Sequence, residues 1–351
     1  MSEYVRFSES LETEQREESK KIDDIVDALR VTHRHAFDLR RHAPRDTHAK
    51  GHGFLKGTLT VADCLPPEYA QSLFSTPGEY PVILRFATEP GAMLDDRTPA
   101  ARGLAMKLIG VEGEKMRGGD ARVTQDFLFN NCPILPLAEV TTYREIQQLR
   151  AEYRDDPDGL VAAIEQRDDA ELQKTFDRLP NVHLLGNAYY SQSAFRFGDY
   201  VCKYALFPAT DEQRALAQRH VSDDDEPGVL TQWLKEHFAE CDARFDFAVQ
   251  LQTNPETQPI EDASVNWKSD EAPFYTVAHL HIPAQNPYTP ERRVYSDDVL
   301  AFDPWAGRPD LRPLGSINRV RARAYRASSE LRHHLNARAE HEPTSIDDVP
   351  D

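Results

Sequence analysis

Apolar and polar positions alternate along four short runs, 53–62, 81–88, 103–111 and 126–135, each bounded by turn-forming residues, which predicts four strands of an antiparallel sheet or barrel. The period then lengthens. Residues 137–153 and 160–176 carry apolar positions three and four apart among many charges, and Pro180 ends the pattern, so this stretch reads as a helical interlude. Strands resume at 184–206, read as two joined near Gly198, and at 244–252 and 274–282, with helices around 212–220 and 228–241 between them. The expected class is α+β: an eight-stranded antiparallel β-barrel over 50–285 with flanking helices, eight being a count at which a sheet can close.

The ends of the chain read differently. Residues 12–40 are mostly charged, with Ile22, Ile25, Val26 and Leu29 at helical spacing, which makes 1–40 a helical arm with a narrow apolar stripe. Such a stripe needs a cover, either a second subunit in a homo-oligomer (dimer or tetramer) or the arm's own domain. Prolines 287, 290, 304, 309 and 313 mark 286–313 as an extended crossing segment. Residues 314–338 turn helical again, closing a 41–340 domain, and 341–351 is expected to be an acidic disordered tail.

Composition narrows the function classes. With 41 Lys plus Arg against 59 Asp plus Glu in 351 residues, the formal charge of −18 argues against nucleic-acid partners. No apolar run is long enough for a signal peptide core or a membrane span, so the expected location is the cytoplasm. Cys64, Cys132, Cys202 and Cys241 are widely spaced, with no C-x-x-C pair, and read as reduced thiols.

Three constellations carry candidate chemistry. Arg321, Tyr325 and Arg332 lie at i, i+4 and i+11, within roughly 40° of one another around a helix. On spacing alone Tyr325 is a core tyrosine between solvated arginines; alternatively, a guanidinium one turn away lowers a phenol's pKa and makes it a metal ligand. His48, followed at once by a glycine-rich strand in RDTHAKGHGFLKGTLTV (45–61), is either structural or placed against a flat ligand that backbone can approach closely. His279 and His281 form an H-x-H on one strand face, a pair able to bind a divalent metal, though no third ligand is evident.

The segment PLGSINRVRARAYRASSELR (313–332) resembles the proximal helix of the catalase superfamily, most closely that of its small catalase-related haem proteins. Four further pieces follow the family order: R-x-x-HAKG at 45–51, LRFAT at 84–88, ARGLAMK at 101–107 and NNCP at 130–133. The resemblance covers about 41–336. It implies haem b held by Tyr325 as axial iron ligand, with Arg321 beside it and propionates met by Arg45, Arg85 and Arg332. It also implies His48 as the acid–base residue and Asn130 as the amide that orients peroxide.

The implied function is a hydroperoxidase that cleaves hydrogen peroxide or organic hydroperoxides by a two-electron route through a ferryl intermediate. Departures from the family pattern keep other readings open. Thr47 replaces the valine usual before the distal histidine, a feature shared with allene oxide synthases that rearrange fatty-acid hydroperoxides, and its hydroxyl is expected to hydrogen-bond His48. Ala87 replaces a serine that bonds that histidine, PAARG (99–103) replaces RDPRG, and Leu135 stands where a phenylalanine narrows the distal side. A haem-binding or sensing protein with little turnover is the remaining alternative.

Overall fold

The computed structural model describes residues 4–117 and 122–351. Its centre is a closed antiparallel barrel. The strands β1 (Lys50–Val61), β2 (Glu79–Thr88), β3 (Arg102–Ile109) and β4 (Thr124–Asn130) pair in succession, as do β7 (Tyr200–Pro208), β8 (Ala243–Leu251) and β9 (Phe274–Ile282). β1 pairs with β9, and the two-residue β5 (Tyr189–Tyr190) bridges β4 to β7, which closes the ring at eight strands. β6 (Phe195–Phe197) lies outside the ring as a hairpin partner of β7. Gly198 makes that hairpin at φ +59, where an added Cβ would meet Gln71 Oε1 at 2.2 Å. A side chain there would be both strained and blocked.

Period-two alternation divides β2 and β3 between two environments. Leu84, Phe86, Leu104 and Met106 enter the main core with Phe127, Phe129 and Phe247. The opposite face of the same strands carries Arg85, Ala87, Gly103 and Ala105, in register as Arg85↔Ala105 and Ala87↔Gly103, with Asn130 opposite Gly103 on β4. Three small residues in one patch leave a floor with room above it.

The helices are α1 (Glu18–Arg40), α2 (Val140–Glu152), α3 (Pro157–Glu165), α4 (Ala170–Gln173), α5 (Asp211–Ala215), α6 (Val229–Phe238), α7 (Pro290–Val294) and α8 (Ser316–Leu335). Ile22, Ile25, Val26 and Leu29 of α1 pack with Val140 and Ile146 of α2 and Ile317, Val320 and Ala324 of α8. The arm's apolar stripe is therefore covered by its own chain. Charge adds to this attachment: Arg319 of α8 pairs with Glu12 at 2.9 Å, Glu18 at 2.5 Å and Glu261 at 2.9 Å. Burial opposes ionisation of Glu18, but the hydrogen bonds from Arg319 and the Gln15 N–H, with the charges of Arg319 and Lys21, outweigh it and hold the carboxyl below its ordinary pKa.

Two segments differ from expectation. Residues 286–313 are a chain of turns rather than an extended strip: Thr289 caps α7 by accepting from the Arg292 N–H at 3.1 Å, Pro290 opens the helix, and a π-helical turn, Tyr295–Val299, follows. The 341–351 tail, expected to be disordered from its acidity, lies against the barrel. Lys107 on the outer face of β3 is buried and needs counter-ions; Glu342 meets it at 2.7 Å and Asp126 at 2.9 Å. Val349 is only 3% exposed and packs with Phe54 and Ile83. No described helix is long and apolar enough to cross a membrane.

Candidate functional site

One face of α8 looks into a cavity between that helix and the small-residue floor of β2–β4. All eight residues singled out from the sequence line it: Arg45, Thr47, His48, Arg85, Asn130, Arg321, Tyr325 and Arg332. They come from the turn before β1, from β2, from the end of β4 and from α8. Sequence distance of up to 287 positions is closed by the barrel and the crossing segment.

His48 is held from several sides. Its backbone is left-handed at φ 53, an uncommon state for a residue with a side chain, and Arg85 Nη1 donates to its carbonyl at 2.9 Å. Beneath the ring is Gly103, where an ideal Cβ would lie 2.6 Å from both Cε1 and Nδ1 of His48. Only glycine leaves the imidazole this seat. Burial first, then the charges of Arg85, Arg321 and Arg45, push the His48 pKa down to about 3, so the ring is neutral near pH 7.

Arg321 donates from Nη1 to Ser193 Oγ at 3.0 Å and to Asn318 Oδ1 at 3.1 Å, which fixes the guanidinium one turn before Tyr325. Its charge acts downward on the Tyr325 phenol, as expected from the spacing, but burial acts more strongly and the net displacement is upward. The phenol is therefore neutral in the pocket by itself. A cation at the phenolic oxygen would reverse that balance.

Arg45, Arg85 and Arg332 converge at one end. Burial, followed by the charges of Arg85 and Arg332, drives the Arg45 pKa well below its ordinary value, and burial with Arg85 brings Arg332 down to about 10. The cations thus destabilise one another, a condition that an anionic ligand relieves. Arg45 Nη1, Arg85 Nε, His48 Nδ1 and Asn130 Oδ1 are all buried without a hydrogen-bond partner. Buried polar atoms are usually satisfied, so four orphans around one cavity point to a ligand with acidic groups and polar reaction partners. A haem fits this donor set, with its carboxylates at the arginines and its metal at the phenol.

Several expectations change on contact with the geometry. No hydrogen bond joins Thr47 to His48 among the described residues; the Thr47 side chain lines the cavity, while its backbone N–H donates to Asp46 Oδ1 at 2.9 Å. Leu135 does not narrow the cavity: it is buried with Leu137 and Val140 in the cluster around α1, because the chain leaves the barrel after Asn130. His279 and His281 pair with Asp246 at 2.8 Å and Asp242 at 2.7 Å, and no group of three metal-ligating side chains occurs among the described residues. The cysteines are unpaired, with Cys132 and Cys202 buried.

Among the lining or neighbouring residues not foreseen, two stand out. Gln192 is buried at φ 62 and donates from Nε2 to Ile134 O at 2.6 Å, and Asp297 stands among the arginines, 3.3 Å from Arg85. Neither has a local signature. Gln192 follows a serine in an ordinary polar stretch, and Asp297 sits in an Asp-Asp pair that reads as surface.

No protein-family model and no curated protein matches this chain. Solved structures do. A fungal catalase superposes with a TM-score of 0.63 at 17% identity, covering 85% of this chain and 61% of the catalase. Catalase A from Saccharomyces cerevisiae gives a TM-score of 0.58 at 16% identity, covering 86% of this chain and 65% of its own. This chain thus spans less than two thirds of either catalase. The closed eight-stranded barrel, the helices beside it and these superpositions together establish that the protein has a catalase-like fold.

Proposed function

We propose that the protein is a haem-dependent hydroperoxidase acting on hydrogen peroxide or organic hydroperoxides. The observation that carries this reading is the convergence, around one cavity, of a phenol, a neutral buried histidine, an amide and four arginines. Haem, when bound, supplies a redox-active iron able to exchange two electrons with a peroxide.

The chain's own residues supply the rest. Tyr325 offers an anionic oxygen to the metal, and Arg321, fixed by Ser193 and Asn318, stabilises that charge. Arg45, Arg85 and Arg332 hold the carboxylates. His48, neutral near pH 7, accepts the proton of one peroxide oxygen at Nε2 and returns it to the other, so the leaving group departs as water or an alcohol. Asn130 orients the peroxide through its side-chain amide.

Thr47 on the cavity wall and the unpartnered His48 Nδ1 favour a second reading, rearrangement of fatty-acid hydroperoxides in the manner of allene oxide synthases. Here the hydroperoxide's own carbon skeleton retains the oxygen. We assign either activity to the cytoplasm as part of the same proposal, in keeping with four unpaired cysteines.

The test is an optical spectrum of purified protein with haem, followed by peroxide assays. A Soret band that changes in Tyr325→Phe, oxygen release or substrate oxidation with hydrogen peroxide, and loss of turnover in His48→Ala with haem retained are the expected results. A haem spectrum indifferent to Tyr325→Phe refutes the ligand assignment. Conversion of a polyunsaturated hydroperoxide to an epoxide product without oxygen release selects the rearrangement, and haem binding without any turnover selects a binding or sensing role.

A further inference from the structure

The three arginines share their end of the cavity with the π-helical turn Tyr295–Val299. Asp297 Oδ1 lies 3.3 Å from Arg85 Nη2 and 3.5 Å from Arg45 Nη1. Arg45 Nη2 donates to the carbonyls of Ser296 and Leu300, each at 2.7 Å, and Arg332 donates to the carbonyls of Asp297 and, at 3.0 Å, Leu300. Carbonyls satisfy donors but cancel no formal charge. Direct neutralisation is therefore one carboxylate against three guanidinium groups.

Asp298, toward Arg45 and Arg332, and Glu340, toward Arg332, act on the cluster only through longer-range charge. Asp298 faces His42 Nε2 at 2.7 Å and Asn336 Nδ2 at 3.3 Å, and no ion pair joins it to Arg45, Arg85 or Arg332 among the described residues. Nor does Asp297 exhaust the donors: Arg45 Nη1 and Arg85 Nε remain without a hydrogen bond. The pocket end thus holds a resident anion and still has donors for an incoming one.

Building on the haem reading, we infer that Asp297 is a resident counter-ion that stays in place when the ligand binds and tempers the affinity of the arginine cluster for the ligand's carboxylates. Asp297 is a specificity-determining residue in this scheme, not a catalytic one. A purely architectural role, in which Asp297 only positions the arginines, predicts the opposite sign for its removal, which makes the two separable.

The experiment titrates the apoprotein with ferric protoporphyrin IX, which carries two carboxylates, and with its dimethyl ester, which carries none, following tryptophan quenching and the Soret band. Asp297→Asn removes the charge and keeps the shape; Asp297→Ser guards against a variant that fails to fold. With the repulsion between Asp297 and an incoming carboxylate gone, the diacid is expected to bind on the order of 10- to 100-fold tighter. Affinity for the diester stays unchanged. Equal or weaker binding of the diacid to variants that fold overturns the inference, as does tightening of diacid and diester alike. Parent protein that binds neither compound overturns the haem reading and this inference with it, whereas a parent that binds haem beside an indifferent variant overturns the counter-ion role alone.

Discussion

Gly103→Ala tests the seat of His48 without touching any group that reacts. The added Cβ would stand 2.6 Å from Cε1 and Nδ1 of His48, where ordinary contact begins at about 3.4 Å, so the imidazole must move by about 1 Å. The backbone has no reason to object, since Gly103 is not at positive φ and occupies a strand interior. Replacing a strand glycine gains roughly 0.5–1 kcal/mol, whereas overpacking costs roughly 1–3 kcal/mol, so the net loss of stability is small. Catalysis is expected to suffer far more, because about 1 Å of misplacement can cost on the order of 100-fold in rate.

The assay is peroxide turnover per haem, with haem content measured first and urea midpoints recorded alongside. Gly53→Ala is the control. Its Cβ would meet Leu234 Cδ1 at 2.9 Å, the far end of a flexible side chain away from the cavity, and turnover per haem should be unchanged. A Gly103→Ala protein with full haem and parental turnover would falsify the claim that this glycine positions the histidine.

Two further outcomes are expected. Ala87 lines the cavity and pairs in register with Gly103, over which the unpartnered His48 Nδ1 sits, so Ala87→Ser should supply that atom with a hydroxyl, a bond worth about 0.5–1.5 kcal/mol, and raise hydrogen peroxide turnover several-fold; an unchanged or lower rate counts against a tautomer-fixing role there. His183, buried and stacked on Trp233 with ring centroids 5.6 Å apart, is held down to about 4 by burial and by the charge of His237. Its native form resists a proton that the unfolded chain accepts below pH 6.5, so this group withdraws stability as pH falls from 6.5 toward 4. Between pH 7 and 5 the loss is about 2 kcal/mol, read from urea midpoints, and His183→Gln should abolish that part of the slope; an identical slope in the variant means other groups carry it.

Much of the architecture was legible along the chain because it is written in local periods. Alternation in β1 to β4 and β7 to β9 follows from each strand having one face in the barrel core, and the α1 and α8 patterns follow from stripes that pack together. The candidate site was legible for a related reason. Arg321, Tyr325 and Arg332 share a helical face through arithmetic alone, whereas the glycines that follow His48 do not line the cavity. The short β5, only two residues long, carries no periodic signal and yet closes the barrel.

What the tertiary structure decided concerns residues whose meaning depends on a distant partner. Asp297 is a surface aspartate by composition and a resident among buried arginines by position; Glu342 belongs to an acidic tail and also neutralises Lys107 at 2.7 Å. Leu135, assigned to the cavity from the sequence, belongs to the helical cluster because the chain turns off the barrel after Asn130. Even the Tyr325 phenol follows this division: the sequence by itself put an arginine one turn away, but only the folded chain determined how deeply both are buried, and burial prevails. Local order is set by neighbours within a few positions. Charge balance and desolvation are sums over everything nearby in space, and those sums exist only once the barrel has closed.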